Sequence, residues 1–374
     1  MPEGGLFAVQ DVEDFARGTD FLSASGGGTP AEAAALLRDD LARGLEIRWS
    51  DLGTLADDAL VVSTFFSGTI APEAWDTTRM ESECGVRREI ARPLVNSVRE
   101  LELLLGEEAS ALISVEIGGV NTGHTADAAA NLGKVLLDAD YAGRAIPEAQ
   151  CITPAIFGES IAPIAATDFY GDVTIVKQAA NNTMAERLGK FIALSSFGHV
   201  GCAAIPLRGE TVKRIALPGT LSESLAVGRT IREAREEGRD PVSAIVDVLP
   251  GTRVIFRGEI ARRTWESRDG YMWGEHEFVS ADSSDRLRVW FKNENHVSWL
   301  NGEPFVSSPD VIEVIDGDSG EPRVNTDLEV GDRVAVLAVP CRPQFNNPGG
   351  IEALGPRHWG FDLDFRPLES FFQS

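Results

Sequence analysis

Three apolar runs, residues 60–66, 111–117 and 134–138, constrain this chain more than any other feature. Strands that are apolar on both faces must be covered on both faces, which calls for helices above and below the sheet and for crossover connections. Helical patterns fill the intervals. Residues 11–22 place Val12, Phe15 and Ala16 on one face, and further helices are expected at 31–43, 87–105 and 125–132. Thr29 is positioned to N-cap the second helix, with Pro30 in its first turn and Glu32 completing a capping box. Pro93 is expected to kink the helix over 87–105. Repeated strand–loop–helix units predict an α/β domain with a mostly parallel sheet.

The second half reads differently. Helices are expected at 182–194 and 220–237, and from residue 253 the pattern is β, with strands at 253–264, 270–279, 286–292, 311–315 and 333–339. Their spacing suits a small barrel or sandwich. Two domains are therefore expected, an α/β domain over 1–170 and a mixed, then β-rich, C-terminal domain over 171–374. Trp265, Trp273, Trp290 and Trp299 read as barrel core, and the aromatic segment 357–372 as packing back on the body.

Composition narrows the function classes. With 58 acidic against 34 basic side chains the net charge is −24, which disfavours phosphate backbones and anionic lipid, so neither nucleic acid nor a membrane surface is an expected partner. Only five of the bases are lysines. No run approaches the ~20 apolar residues of a membrane span, and no leader is recognisable, so a cytoplasmic enzyme is expected, with a homo-oligomer expected on base rates. Cys84, Cys151, Cys202 and Cys341 form no CxxC pair and read as reduced thiols, mostly buried.

In an open α/β sheet, ligands bind beyond the carboxyl ends of the strands. Three segments fall there. Gly26, Gly27 and Gly28, followed by Thr29, let backbone N–H groups approach a ligand. Neither a P-loop Gly-Lys-Ser/Thr nor a G-x-G-x-x-G fingerprint is present, so ATP and NAD are not expected. Glu116 ends an apolar strand, and a carboxylate there needs a partner or takes up a proton, which makes it a candidate acid, base or metal ligand. Asn121 and His124, the one histidine of the first half, lie just beyond it. In the third segment Asp138 and Asp140 point to one face of extended backbone. They can act as catalytic carboxylates or hold a divalent cation, with Arg144 and Glu148 as substrate-binding candidates. Glu116, His124, Asp138 and Asp140 are the tentative metal set, for an ion such as zinc. His199 and Cys202 are close in sequence, but Cys202 reads as core. Asn293 to His296 reads as a polar turn or as a reach into the site from the second domain.

Taken together, these segments resemble the S-methyl thiohydantoin desulfurase-like family, which is associated with hydantoinase and oxoprolinase genes. The resemblance rests on the glycine loop, on Glu116 to Asn121 and on Asp138 to Glu148. Asp168 to Gly171, Gly219 to Ser222, Gly228-Arg229, Asn293-Glu294, Pro309 to Ile312 and Gly355 to Arg357 support it. It implies an N-terminal layered α/β domain and a C-terminal β-rich domain. It also implies a hydrolase in which water replaces the methylthio group of a small heterocycle, as in ergothioneine catabolism. The alternative it leaves open is a non-catalytic accessory subunit or small-molecule-binding partner of a hydantoinase or oxoprolinase.

Overall fold

The computed structural model describes residues 4–71 and 82–372. Up to residue 218 the strands are β1 (Gly4–Leu6), β2 (Ile47–Ser50), β3 (Leu60–Gly68), β4 (Ala111–Ser114), β5 (Val135–Leu137), β6 (Ala139–Asp140), β7 (Ile164–Thr167), β8 (Val173–Val176), β9 (His199–Arg208) and β10 (Leu217–Pro218). β6 and β10 pair with each other, and the rest form one sheet in the order β1-β2-β5-β4-β3-β9-β7-β8. The core strands β2, β5, β4 and β3 run parallel. β1 adds antiparallel at one end, and β9, β7 and β8 at the other. β7 and β8 are joined by a short turn, too short for a crossover, so their pairing is antiparallel.

Period-2 alternation explains how this sheet is covered. Leu112 joins Phe15, Trp49, Val98 and Val227 in an apolar cluster on one face, while Ala111 and Ile113 join Val61, Ile164 and Val212 on the other. The apolar runs that predicted an α/β fold are thus buried on both sides. Among the described residues no helix is long and apolar enough to cross a membrane.

The second sheet contains β11 (Arg253–Arg268), β12 (Tyr271–Ser280), β13 (Arg286–Lys292), β14 (Glu294–Leu300), β15 (Glu303–Ser307), β16 (Val311–Asp316) and β17 (Arg333–Val339). It is antiparallel, in the order β15-β14-β13-β12-β11-β17-β16. It curls until β16 again lies against β14 and β15, a half-barrel filled by Ile260, Phe278, Val289, Val314 and Val336.

Several local expectations change. The helix expected over 87–105 is Pro93–Leu105, with Pro93 in the first turn, where its missing N–H has no bond to lose. The helix expected at 125 begins at Asn121, whose carbonyl accepts from Thr125 Oγ1 at 2.9 Å. Thr29 does not cap the Ala31–Ala42 helix. Pro30 is the N-cap residue, without a side-chain cap bond, and the left-handed turn at Gly28 (φ 70°) leaves Thr29 exposed. None of the four tryptophans belongs to the cluster filling the half-barrel, and Trp299 alone of them is buried. They lie toward the outside, with Arg288 over Trp299 and Arg268 over Trp273. The C-terminal segment does pack back: Phe361 meets Trp290 and Trp299 at 5.1 and 5.3 Å. The four cysteines are free thiols.

The Val9–Phe21 and Thr220–Glu236 helices cross in near backbone contact. A Cβ on Gly228 would stand 1.7 Å from Asp14 O, and one on Gly18 1.6 Å from Ser224 O. Gly228→Ala must push the helices apart and is expected to lower the unfolding free energy by about 1–3 kcal/mol, measured by urea denaturation. A variant as stable as the wild type would contradict this packing.

Candidate active site

The carboxyl ends of β3 and β4 open into a cavity of about 90 Å³. Gly26 and Gly27 close one wall, and Asn293 and Glu294 from the second sheet close another. Roughly 10–15 Å³ of such space holds one water, so the cavity takes several waters or a ligand group of that size.

Glu116 stands two residues past β4, on a short loop that is heavily tied down. Its carbonyl accepts from Ser114 Oγ at 2.6 Å and from Thr122 Oγ1 at 3.2 Å, while Gly118 N donates to Thr122 Oγ1 at 3.0 Å. Its carboxyl group is held at both oxygens. Asn121 Nδ2 donates to Oε1 at 2.5 Å, and Ile146 N donates to Oε2 at 2.7 Å. Asn121 is itself fixed by Phe66 N, which donates to its Oδ1 at 2.8 Å, so it carries the position of β3 to the carboxylate. Burial pushes Glu116 up to about 7; the Ile146 and Asn121 bonds pull it down, Asp140 pushes it further up and Lys190 opposes.

Glu294 reaches the same cavity from the corner between β13 and β14. Asn293 makes that corner in the left-handed region (φ 57°). Its N–H donates to Met272 O at 2.7 Å and its Oδ1 accepts from Met272 N at 2.8 Å, which holds a conformation few non-glycine residues adopt. Glu294 is buried, and its Oε2 has no hydrogen-bond partner among the described residues. Burial raises its pKa well above the ordinary range and Glu116 raises it further, against Arg144, the residue's own backbone N–H and Lys190.

The glycine loop is what brings these two segments together. A Cβ on Gly26 would sit 2.5 Å from Glu294 N and Cα, and one on Gly27 2.8 Å from Gly118 Cα. Glycine at these two positions is a steric requirement of the junction.

Lys190, on the Asn182–Ser195 helix, puts a cation on the cavity wall. It donates to Gly68 O and lies 3.9 Å from Glu186 Oε1. Burial lowers its pKa and Glu186 counters this. Glu186 also accepts from Tyr271 Oη at 2.8 Å and from Ala149 N at 2.9 Å. His199 lines the cavity too, its ring edge-on to Phe169 at 5.2 Å.

The other residues singled out in the sequence have different surroundings. Asp138 accepts from Leu221 N at 2.9 Å and Ser222 N at 3.0 Å, and from Ser222 Oγ at 2.6 Å, at the start of the Thr220–Glu236 helix. Asp140 closes a turn, with Ala142 N and Gly143 N donating to Oδ2 at 2.8 and 2.6 Å; burial raises it to about 6 against those bonds. Arg144 is fully buried and donates to Ala145 O at 3.1 Å, Asp310 O at 3.2 Å and Asn295 O at 2.8 Å. Gly28, Thr29 and His124 line a neighbouring hollow, and His124 Nδ1 is 2.8 Å from Val120 O. Cys202 is buried, and burial pushes its thiol up to about 12, so it is no thiolate nucleophile at neutral pH.

A different trio could hold a metal ion. Ligand atoms of Glu148, Cys151 and His358 lie within 4.8 Å of one another. Each already has a protein partner: Lys292 pairs with Glu148 Oε1, His358 Nε2 lies 2.9 Å from Oε2, and the Cys151 thiol donates to Ala353 O at 3.1 Å. Burial pushes Glu148 up, but His358 and Lys292 outweigh it and hold the group at about 2. Lys190 was missed in the sequence. Its rarity as one of five lysines in an arginine-rich chain was the available signal.

A layered α/β body is joined to a curled antiparallel sheet, with buried carboxyl groups lining a cavity to which both contribute. The chain belongs to the S-Me-THD-like family, whose N-terminal domain model matches residues 10–178 and whose C-terminal domain model matches residues 180–368. It is also similar in fold to a crystal structure of a protein from Chromobacterium violaceum determined in a structural genomics programme. The TM-score is 0.77 over 98% of this chain and 100% of that one, at 20% identity. No curated protein matches the chain.

Removing the helix cap at Asp138 exposes two backbone donors. Asp138→Ala is expected to cost about 1 kcal/mol, seen as a lower urea midpoint at unchanged slope. A midpoint equal to that of the wild type would contradict the capping role.

Proposed function

We propose that the protein is a hydrolase that exchanges the methylthio group of an S-methyl thiohydantoin for the oxygen of water, giving a hydantoin and methanethiol. The observation that carries this reading is Glu116, a buried carboxyl group oriented by Asn121 and Ile146 and raised to about 7, so that it both takes and returns a proton near neutrality. Family membership supports the substrate class. The ring carbon bearing sulfur is amidine-like and electrophilic. Water placed between it and Glu116 loses a proton to the carboxylate as its oxygen attacks. Lys190 supplies the cation for an anionic arm on the ring, and Gly26, Gly27 and Glu294 line the facing wall.

Glu116→Gln keeps the shape and removes the base. It is expected to lower the rate of methanethiol release by 10²–10⁴-fold. In the wild type the base must be ionised, so activity is expected to rise with pH through about 7, measured as kcat/KM against pH. Unchanged turnover in Glu116→Gln would sink the assignment. Tight ligand binding with no methanethiol from the wild type would favour the binding-protein alternative. Lys190→Met is expected to raise KM at least tenfold for a substrate with a propionate arm and much less for one without it. Equal effects on both substrates would remove the anchoring role.

A further inference from the structure

We infer that Glu294 is the general acid of this site, delivering a proton to the ring nitrogen as water attacks the neighbouring carbon. This rests on the hydrolase reading above and adds a second catalytic residue, contributed by the C-terminal sheet.

The geometry separates the roles of the two carboxyl groups. Both line one cavity. Glu116 accepts N–H bonds at both oxygens, which favours the carboxylate form. Glu294 is 2% exposed, and its Oε2 has no partner among the described residues. A buried carboxylate oxygen with no donor is costly, whereas the protonated acid carries no charge there and has an O–H to donate. The charged and titratable groups around Glu294 are Glu116 from the loop after β4, Arg144 from the loop after β6, Lys190 and Glu186 from the Asn182–Ser195 helix, and His199 at the start of β9. Arg144 donates its N–H groups to backbone carbonyls, and Lys190 donates to Gly68 O. Among the described residues neither donates a hydrogen bond to Glu294. The left-handed corner at Asn293 fixes the position of the acid, and backbone strain of this kind is characteristic of functional sites.

The proton account closes. Water attacks the carbon and gives one proton to the Glu116 carboxylate, while the Glu294 acid protonates the imine-type ring nitrogen. The tetrahedral intermediate then carries hydroxyl and methylthio groups on one carbon. As the carbon–sulfur bond breaks, the hydroxyl proton passes to Glu294 and the proton on Glu116 goes to the departing sulfur. Hydantoin and methanethiol leave, and both side chains return to their starting forms.

The test measures methanethiol release against pH for the full-length wild type and for Glu294→Gln, using an S-methyl thiohydantoin with a propionate arm. The wild type is expected to give a bell-shaped profile, with Glu116 setting the acid limb and Glu294 the alkaline limb. Glu294→Gln is expected to lose at least 100-fold in kcat and to lose the alkaline limb, with near-UV circular dichroism unchanged. Turnover within threefold of the wild type with the alkaline limb intact would overturn the inference while leaving the hydrolase reading in place. No methanethiol from the wild type would overturn both. If Glu294→Gln does not fold, Glu294→Asp carries the test: it keeps an acid at the same strand position and must retain an alkaline limb at reduced rate. A profile without that limb in Glu294→Asp would overturn the inference.

Discussion

The site depends on one close approach, the passage of the loop from Ser23 to Gly28 between the two sheets. Ala24 and Ser25 are held in the left-handed region (φ 53° and 58°). Their carbonyls accept from Asn295 N at 2.9 Å and Asn325 N at 2.7 Å. Ser25 donates from its backbone N and its Oγ to the two oxygens of buried Glu313, at 2.8 and 2.9 Å, and its Oγ accepts from Val314 N at 3.0 Å. Gly27 O takes the Val120 N–H at 3.1 Å. A loop of six residues therefore bonds to β14, β16 and the Glu116 loop at once. Glycine at 26 and 27 lets those backbones come close enough for Glu116 and Glu294 to share a cavity.

Bringing carboxyl groups into a dry junction raises a charge problem that the surrounding residues answer in distinct ways. Glu313 is satisfied by Ser25. Glu148 is ionised between Lys292 and His358. Arg144 adds a buried positive charge behind the cavity without forming a salt bridge, because its N–H groups are taken by carbonyls of Ala145, Asn295 and Asp310. Burial raises Glu313, Glu116 and Glu294 alike, but Glu116 is held by donors at both oxygens, whereas Glu294 Oε2 has no partner among the described residues. That asymmetry is what a pair needs if one member is to accept a proton while the other gives one.

Much of the fold was legible because burial on both faces leaves a strong record in the sequence. The runs at β3, β4 and β5 could be little else than sheet core, and the alternating strands of the second half were recognisable by period. β14 was not. It begins Glu294-Asn295-His296 and continues to Ser298, so polar side chains occupy buried positions and the strand reads as a turn. Glu294 is inside because it lines the cavity, while Asn295 donates to Ile312 O, His296 lies against Ser308 and Trp359, and Ser298 donates to Val306 O, so burial there follows partners that no local pattern reveals. Glu116 stood out as a break at the end of an apolar strand, and the glycine loop as three glycines before a helix; the loop joins the Val9–Phe21 and Ala31–Ala42 helices and follows no strand. The partners of Asp138 lie 83 and 84 residues further along the chain, at a helix start that no local pattern connects to it. Lys190 lies on an amphipathic helix where no motif marks it, and only its rarity as a lysine sets it apart.

The central claim is that this cavity directs water onto a ring carbon. The most direct measurement is turnover of an S-methyl thiohydantoin in ¹⁸O-labelled water, with mass spectrometry of the product. The account predicts one labelled oxygen per hydantoin, placed at the carbon that carried sulfur, and one methanethiol released for each. Hydantoin without label, or labelled product without stoichiometric methanethiol, would contradict it.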